Sequence, residues 1–315
     1  MRTPCRLSLA LLSLVLLSGC SPNKSARSQC VGTLLDVQSE LEHGIAVFSD
    51  VDGKVVERAG DLAARYRLLT GRKLPAASLS KPITASDVRM MIDDGAIKSE
   101  DRVGNLLPRT QLLDVDSKHA DIQIRHLLQH TAGFDRSLSH DPLWVSHGLT
   151  EPRPDCPAAA DHILHAQFDF EPGERVAYSN AGYCLLGRIL LLHEGRLPLA
   201  DRAMLKTPLG AAGGWLSTPR ELHARLLRTF PLRHIEPSVA LPDGSHYDFG
   251  WRHWQASNEG PPWTHFGRLP GLMTLAVTDG RTRLLVAYFD GDPRDVDQTS
   301  SRLARSAWRC MQLLE

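Results

Sequence analysis

Apolar positions along the chain favour strands at both of its ends. Gly44 to Ser49 and Lys54 to Arg58 are short β-type runs on either side of Asp50-Val51-Asp52-Gly53, which predicts a hairpin. Runs of the same type return from residue 232 onward, notably over 272–278 and 284–289. Both ends of the chain are therefore expected to contribute strands.

The middle of the chain and its last segment have helical spacing instead. Ile83, Val88, Met91 and Ile92 predict a helix from residue 82 that ends at Gly95. Further helices are predicted over residues 124–129, 158–167, 181–193 and 298–314. Strands at both ends with a helical middle indicate an α/β (α+β) fold. We expect an α/β lobe from residues 43–95 and 210–315, with the first helix at the interface, and a mainly helical lobe from residues 96–209.

The first residues predict export and a lipid anchor. Arg2 and Arg6 precede an apolar run over residues 7–17. A bilayer span takes about 20 apolar residues, so this run is typical of a signal peptide, here residues 1–19. Leu17-Ser18-Gly19-Cys20 matches the bacterial lipobox, which makes Cys20 the expected lipidated residue, and residues 20–42 a tether and the start of an N-terminal helix. We expect an exported protein, lipid-anchored to a bacterial membrane and facing the periplasm or cell surface.

The charge balance argues against a nucleic-acid partner. The sequence has 36 Lys+Arg and 36 Asp+Glu, and loss of Arg2 and Arg6 with the signal peptide leaves 34 against 36. A nearly neutral chain has no electrostatic attraction for a polyanion.

Four cysteines remain once Cys5 is removed and Cys20 is lipidated: Cys30, Cys156, Cys184 and Cys310. In an oxidising compartment they allow three pairings, or they are buried thiols. No CxxC occurs in the sequence. We expect no cofactor and no metal.

Ser78-Leu79-Ser80-Lys81 is an S-x-x-K pattern at the start of a predicted helix. At positions i and i+3 of a helix, the hydroxyl and the amine lie on one face. Lysine acts as a base when its pKa falls, and the N-terminal N–H groups of a helix can stabilise an oxyanion. The pattern is weak alone, because Ser21-Pro22-Asn23-Lys24 repeats it in the tether.

Two later motifs follow in order: Tyr178-Ser179-Asn180 and His265-Phe266-Gly267. With them the chain resembles the serine β-lactamase and penicillin-binding protein family, in its class C, D,D-peptidase and esterase branch. That family's signatures run S-x-x-K, Y-x-N, then K-T-G or H-x-G. Residues 124–133 (IRHLLQHTAG), 212–222 (AGGWLSTPREL), 249–251 (FGW) and 269–271 (LPG) also resemble the family.

The resemblance implies a β-lactamase/transpeptidase-like fold, an antiparallel sheet flanked by helices plus a helical lobe, with the site in the cleft between them. Ser78 would attack the carbonyl carbon and form an acyl-enzyme, with Lys81 and Tyr178 moving its proton. Asn180 would hold Lys81 and the substrate amide. The backbone N–H groups of Ser78 and Arg268 would bind the oxyanion. His265 and Gly267 would line the opposite wall, from a strand edge.

The resemblance also bears on the cysteines. In the family, the N- and C-terminal helices pack side by side on the sheet. This implies a Cys30–Cys310 bridge and leaves Cys156–Cys184 as the second pair.

Three departures from the family concern the substrate. His265 replaces the lysine of class C β-lactamases, so a titrating imidazole stands where a permanent cation is usual. Phe266 replaces the threonine of the K-T-G or H-T-G motif, while Arg268 could restore a charge. Residues 208–210 (PLG) run directly into residues 211–214 (AAGG), where relatives have a longer segment. These changes argue against efficient β-lactam hydrolysis and predict a more open cleft.

Two histidine pairs resemble metal-ligand spacing. His126 and His130 are four residues apart, but Leu127 stands where the zinc-protease motif needs glutamate. His162 and His165 form a second pair. Both pairs are interpreted as structural helix residues.

The leading hypothesis is a serine hydrolase of amide or ester bonds, with a D,D-peptidase or carboxypeptidase-like activity on cell-wall-type peptides. The partners would be a peptide or ester substrate, peptidoglycan, and the membrane through Cys20. The alternatives are an esterase or weak class C-like β-lactamase, and a non-catalytic penicillin- or peptidoglycan-binding lipoprotein. The oligomeric state is left open.

Overall fold

The computed structural model describes residues 30–32, 34–35, 40–49, 53–138, 155–254 and 260–312. The predicted signal peptide and the predicted lipidation site at Cys20 lie outside the described residues. Within the described part of the chain, no helix is long and apolar enough to cross a membrane.

Seven strands drawn from both ends of the chain form one antiparallel sheet, with the order β2-β1-β9-β8-β7-β6-β5. Strands β3 and β4 form a separate small sheet. In chain order the strands are β1 Glu42–Ser49, β2 Val55–Ala59, β3 Leu74–Pro75, β4 Leu216–Ser217, β5 His246–Asp248, β6 Trp251–His253, β7 Trp263–Leu269, β8 Leu272–Thr278 and β9 Leu284–Asp290.

The predicted N-terminal hairpin is confirmed, and the predicted β-type runs over 272–278 and 284–289 are strands of the same sheet. β1 pairs with β2 in a register that sets Ile45 opposite Ala59, and β8 pairs with β9. β9 also pairs with β1, with Val47 opposite Val286. The N-terminal and C-terminal strands therefore share the centre of the sheet, where their central residues are buried on both faces.

Helices lie on both sides of the sheet and fill the middle of the chain. They are α1 Leu62–Leu69, α2 Ser80–Asp93, α3 Val103–Leu106, α4 Ser117–Ala120, α5 Ile124–Leu128, α6 Cys156–Ile163, α7 Asn180–Leu192, α8 Leu199–Leu205, α9 Gly210–Gly213, α10 Pro219–Leu227 and α11 Val296–Gln312. The five predicted helices correspond to α2, α5, α6, α7 and α11. The helix predicted over 158–167 begins earlier, because Asp155 caps it by accepting a hydrogen bond from the N–H of Ala158, and it ends at Ile163.

One face of the sheet packs against α11. Leu303, Ala307 and Trp308 of this helix join a buried cluster with Phe48 and Leu275 of the strands. Residues 30–32 and 34–35 are helical, and a disulfide joins Cys30 to Cys310 of α11, with 5.4 Å between the Cα atoms. The chain's two ends are thus tied on one side of the sheet, with the pairing that the family resemblance implies.

The other face of the sheet carries the helices that support the site. Ile83 of α2 and Leu222 of α10 are fully buried in a cluster with Trp251, Val286 and Tyr288 of the sheet. A third cluster is formed mainly by the helices of residues 103–213, where a disulfide joins Cys156 of α6 to Cys184 of α7. The mixed α/β fold with an antiparallel sheet is confirmed.

The helix α1 was not predicted. Asp61 caps it by accepting a hydrogen bond from the N–H of Ala64. Its apolar residues Leu62 and Leu69 are 83% and 78% exposed, and only Ala64 is buried. The helix therefore has no buried apolar stripe, which is the signal that helical spacing depends on.

Candidate active site

Ser78 lies in a short 3₁₀ turn, Ala77–Leu79, immediately before α2 begins at Ser80. Ser78 therefore stands before the first regular turn of α2 and not within it, at the helix N-terminus where the sequence analysis placed it. The physical reason is the residue before it, since Ala77 has a φ of 51°, in the left-handed region that a side chain disfavours. The turn leaves Ser78 half-buried on the cleft surface, while Lys81 on α2 is fully buried.

Gly267 of β7 allows the strand to lie against this turn. A Cβ atom at position 267 would be 2.2 Å from Oγ1 of Thr274, 2.9 Å from the carbonyl oxygen of Ala76 and 3.0 Å from Cβ of Ala77. The Thr274 hydroxyl in turn donates to the Ala76 carbonyl, at 3.1 Å. Only glycine permits this approach, which brings the predicted wall residue Gly267 next to the nucleophile.

The Lys81 amine contacts three acceptors. Its Nζ lies 3.3 Å from Oγ of Ser78, 2.8 Å from Oδ1 of Asn180 and 2.7 Å from the carbonyl oxygen of Ala212. The predicted Ser78, Lys81 and Asn180 are thus brought together, and Ala212 is an additional partner that the sequence motifs did not indicate.

This arrangement suits an amine that takes up and returns a proton. An ammonium group has three donors, and here it has three acceptors. A neutral amine can donate to Asn180 and Ala212 at the two shorter distances and turn its lone pair towards the Ser78 hydroxyl. Both protonation states are therefore satisfied without movement of the side chain, and the site can act as a base and then as an acid.

Asn180 and Tyr178 are positioned by the start of α7. The side chain of Ser179 caps this helix by accepting a hydrogen bond from the N–H of Gly182, at 3.0 Å. Asn180 is the first residue of the helix, and Tyr178 precedes the cap. The Lys81 Nζ lies 4.8 Å from the centre of the Tyr178 ring. The Y-x-N motif therefore places both polar side chains on the side of α7 that faces Lys81.

His130 packs against one face of the Tyr178 ring. Its ring stacks on the Tyr178 ring, with 4.3 Å between centroids, and its Nδ1 accepts a hydrogen bond from the N–H of Ser179, at 3.2 Å. The interpretation of His130 as a structural helix residue is wrong, since α5 ends at Leu128 and His130 has a left-handed φ of 59°. Burial, followed by the positive charge of Lys81, holds the pKa of His130 well below its usual range.

His265 lies on β7 opposite Tyr178. Its Nε2 is 3.5 Å from the Tyr178 hydroxyl, a long contact, and only 2% of the residue is exposed. Burial, with further contributions from Lys81, Arg136 and Arg252, holds the pKa of His265 well below its usual range. The ring is therefore neutral at pH 7, and the imidazole that was expected to titrate on this wall does so only at a lower pH. Among the described strands, β6 pairs with β7 only at residues 263 and 264, so His265 begins the outer edge of β7.

In a comparison with known protein families, the Beta-lactamase model matches residues 37–201 of the chain. The chain belongs to the Beta-lactamase family. Within this family member, Ser78, Lys81, Tyr178 and Asn180 remain the predicted catalytic residues.

Known proteins match parts of this chain in sequence. The probable fimbrial assembly protein FimD, serogroup H1, of Dichelobacter nodosus is 32% identical over 120 residues, which cover 38% of this chain and 29% of that protein. Penicillin-binding protein 4 of Amycolatopsis lactamdurans is 30% identical over 173 residues, which cover 53% of this chain and 42% of that protein. The chain therefore spans less than half the length of these relatives.

Solved structures share the fold over nearly the whole chain. The D-amino acid amidase from Ochrobactrum anthropi SV3, complexed with L-phenylalanine, has a TM-score of 0.66 and 16% identity, covering 91% of this chain and 97% of that one. The octameric penicillin-binding protein homologue from Pyrococcus abyssi has a TM-score of 0.67 and 16% identity, covering 92% and 77%. At these identities the likeness shows the fold.

Two residues on the wall of the cleft, Phe266 and Arg268, are those that the sequence analysis singled out as bearing on the substrate. Phe266 packs against the buried cluster that contains α11. The guanidinium of Arg268 lies 3.6 Å from the carboxylate of Asp292, so part of its charge is neutralised. Ser78 and Arg268, the predicted oxyanion residues, both line the cleft.

The cleft has a volume of about 1260 Å³ and contains further cationic and aromatic side chains. Arg136 lies over the Tyr178 ring, with 4.4 Å from its guanidinium carbon to the ring centroid. Arg252 is ion-paired with Asp243, and the Tyr247 ring meets the His130 ring edge-on at 4.8 Å. Arg136, Arg252 and Tyr247 belong to none of the three motifs, and the sequence analysis missed them.

The short segment before Trp215 closes the back of the site. The carbonyl groups of Ala211 and Ala212 accept hydrogen bonds from Thr84 and Lys81, respectively. On the other side, a Cβ atom at Gly250 would lie 2.7 Å from the backbone carbon of Lys81. The AGG and FGW motifs therefore hold α2 from two directions and fix the position of the Lys81 amine.

Proposed function

We propose that this chain hydrolyses amide bonds in peptides that bear D-amino acids, through an acyl-enzyme on Ser78, in the manner of a D,D-peptidase or carboxypeptidase. The observation that carries the proposal is the contact of the buried Lys81 amine with Ser78, Asn180 and Ala212. That arrangement supplies a base for the serine and returns the proton to a leaving group. The names of its relatives support the substrate class, since they include a penicillin-binding protein and, among shared folds, a D-amino acid amidase and a D-stereospecific amidohydrolase.

In the proposed reaction, Oγ of Ser78 forms a bond to the carbonyl carbon as Lys81 takes its proton. The carbon–nitrogen bond then breaks, and the leaving amine receives that proton, with Tyr178 as the relay. In the second half of the reaction, water attacks the acyl carbon and Lys81 takes a proton from that water. The bond between the acyl carbon and Oγ of Ser78 then breaks, Oγ receives the proton back, and the acid product leaves. Backbone N–H groups of Ser78 and Arg268 would stabilise the oxyanion in both steps.

A neutral wall distinguishes this cleft from one built for β-lactams. The neutral His265 ring offers no cation for a substrate carboxylate. The arginines that line the cleft include Arg136, Arg252, which is ion-paired with Asp243, and Arg268, which lies near Asp292. This observation also supports the alternative of an esterase, which requires no carboxylate contact. Weak β-lactam hydrolysis would have to use the arginines instead.

One experiment separates these functions. The full chain, Ser78→Ala and the control Ser21→Ala, which changes the second S-x-x-K pattern, are each treated with a fluorescent fluorophosphonate and a fluorescent penicillin. Turnover is then measured on an acylated peptide ending in D-Ala-D-Ala, its L-Ala-L-Ala counterpart, a p-nitrophenyl ester and a chromogenic cephalosporin.

We expect Ser78→Ala to lose all labelling and turnover, the control to retain them, and the D-peptide to be cleaved in preference to the L-peptide. Ester turnover without D-peptide cleavage would favour the esterase. Labelling without turnover of any substrate would favour the non-catalytic binding protein. Labelling that persists in Ser78→Ala would refute the assigned nucleophile.

We also propose that Cys20 carries a lipid that anchors the chain to a bacterial membrane, facing the periplasm or cell surface, with peptidoglycan as the nearby substrate. The support is the lipobox sequence at residues 17–20. Metabolic labelling with an alkyne fatty acid should tag the wild-type chain and not Cys20→Ser, which should leave the membrane fraction. Equal labelling of both chains would contradict the anchor.

A further inference from the structure

Three histidines converge at the far end of the sheet, away from Ser78. His246 lies on β5, His253 lies on β6, and His234 lies in the segment that precedes β5. One possible ligand atom from each residue lies within 4.8 Å of the other two. Among the described residues, one group of at least three His, Cys, Asp or Glu side chains is arranged closely enough to hold a metal ion, and it is this one.

The strand register brings two of the rings together. His246 and His253 are directly opposite each other in the antiparallel pair of β5 and β6. Nδ1 of His253 lies 3.1 Å from Nε2 of His246. The His234 ring completes the group, with its centroid 4.4 Å from that of His253 and 5.4 Å from that of His246.

A buried carboxylate orients the third ring. Asp248 is fully buried, and its Oδ2 accepts a hydrogen bond from Nδ1 of His234, at 2.9 Å. Its other oxygen accepts from the N–H of Ile235, at 2.9 Å, which fixes the carboxylate. A histidine held in this way by a carboxylate has its second ring nitrogen available as a ligand, and such pairs are usual behind metal-bound histidines.

We propose that His234, His246 and His253 bind a divalent transition-metal ion of the Zn²⁺ type, with Asp248 as the residue that positions His234. Imidazole ligands suit this class of ion. Zinc–nitrogen bonds of 2.0–2.1 Å in a tetrahedral site place the ligand atoms about 3.3 Å apart. The His246–His253 pair already has nearly this separation, so binding requires a small inward movement of the exposed His234 side chain. Water would take the fourth position.

The same hairpin forms part of the cleft wall. Side chains alternate between the two faces of a strand, so Tyr247 and Arg252 lie on the face opposite His246 and His253. These two residues line the cleft, and Tyr247 contacts the ring of His130. A metal ion on the face of His246 and His253 would hold β5 and β6 together and thereby fix the position of Tyr247 and Arg252. It would act on the cleft as a positioning element and not as a catalytic group.

The test is a calorimetric titration of the full chain with Zn²⁺ after treatment with a chelator. We expect one ion per chain in the wild type, and at least a tenfold loss of affinity in His234→Ala, His246→Gln and His253→Gln. The matched control is His162→Ala with His165→Ala, an exposed pair of histidines outside the cluster, which should bind as the wild type does.

A second measurement keeps the result interpretable if a strand variant does not fold. His234 is exposed and outside the sheet, so His234→Ala should fold, which circular dichroism would check. Bound Co²⁺ should show the intense visible absorption of a tetrahedral site in the wild type, and His234→Ala should lose it. Absence of Zn²⁺ binding at micromolar concentration, or wild-type affinity in His234→Ala and His253→Gln, would overturn the proposal.

Discussion

Gly267→Ala should slow acylation of Ser78 more than it destabilises the protein. The added Cβ would lie 2.2 Å from Oγ1 of Thr274 and 2.9 Å from the carbonyl oxygen of Ala76. Ordinary contacts of carbon require about 3.5 Å, so the added Cβ needs about 1.3 Å more room from Thr274 on β8 and about 0.6 Å more from Ala76 in the nucleophile turn. Relieving both contacts shifts β7 by about 1 Å. Such a misplacement costs about 100-fold in rate, which corresponds to about 2.7 kcal/mol of transition-state stabilisation.

The assay is the second-order rate of Ser78 labelling by a fluorescent fluorophosphonate, measured with thermal unfolding of each variant. Gly195→Ala is the matched control, because a Cβ atom there meets nothing within 4 Å. We expect Gly195→Ala to label at the wild-type rate. The double variant Gly267→Ala with Thr274→Ala should regain part of the lost rate, since the closest contact is removed while the Ala76 carbonyl remains.

The reasoning would be refuted if Gly267→Ala labelled as fast as the wild type. It would also be refuted if the loss of rate followed the loss of stability, so that variants of equal melting temperature labelled equally. The two readouts separate these cases, because displacement of β7 changes the geometry at Ser78 while most of the core is unchanged.

Three further predictions concern the base, a buried histidine and a disulfide. Lys81→Met should lower the acylation rate by about 10² to 10⁴ in stopped-flow labelling, and an unchanged rate would exclude Lys81 as the base. Burial lowers the pKa of His223 to about 4 in the folded chain. As the pH decreases, the unfolded chain therefore takes up this proton before the folded chain does, and the folded state loses stability. Between pH 7 and pH 4, this histidine should lower the free energy of unfolding by about 3 kcal/mol. Urea unfolding at the two pH values should show that this contribution is missing in His223→Gln. Replacing Cys156 and Cys184 by serine should lower the unfolding free energy by about 3 to 4 kcal/mol, since the closed loop has a sequence separation of 28, and an unchanged urea midpoint would contradict this.

The sequence predicted the fold class and much of its element order, because these depend on local patterns. The hairpin of β1 and β2 follows from two apolar runs around a turn, and α2 from the spacing of Ile83, Val88 and Met91. The same local reading missed α1, whose apolar residues face outward and so lack a periodic buried stripe.

The candidate site was predicted where a residue type in a short motif carries the chemistry. Ser78 with Lys81 and Tyr178 with Asn180 are pairs set by local spacing, and the structure brings the two pairs together around one amine. The third partner of Lys81 is a backbone carbonyl 131 residues away, at Ala212. A carbonyl is present at every position, so only the folded chain distinguishes this one.

The charge state of the wall was decided by the tertiary structure. A sequence shows that His265 is a histidine, but its pKa depends on burial and on the cations of Lys81, Arg136 and Arg252 around it. The role of His130 was likewise invisible, because its neighbours Tyr178, Ser179 and Tyr247 come from separate segments. The sequence by itself determined which groups are predicted to serve nucleophilic catalysis. Their desolvation and their distances arise from contacts between distant segments, and only the folded chain decided those.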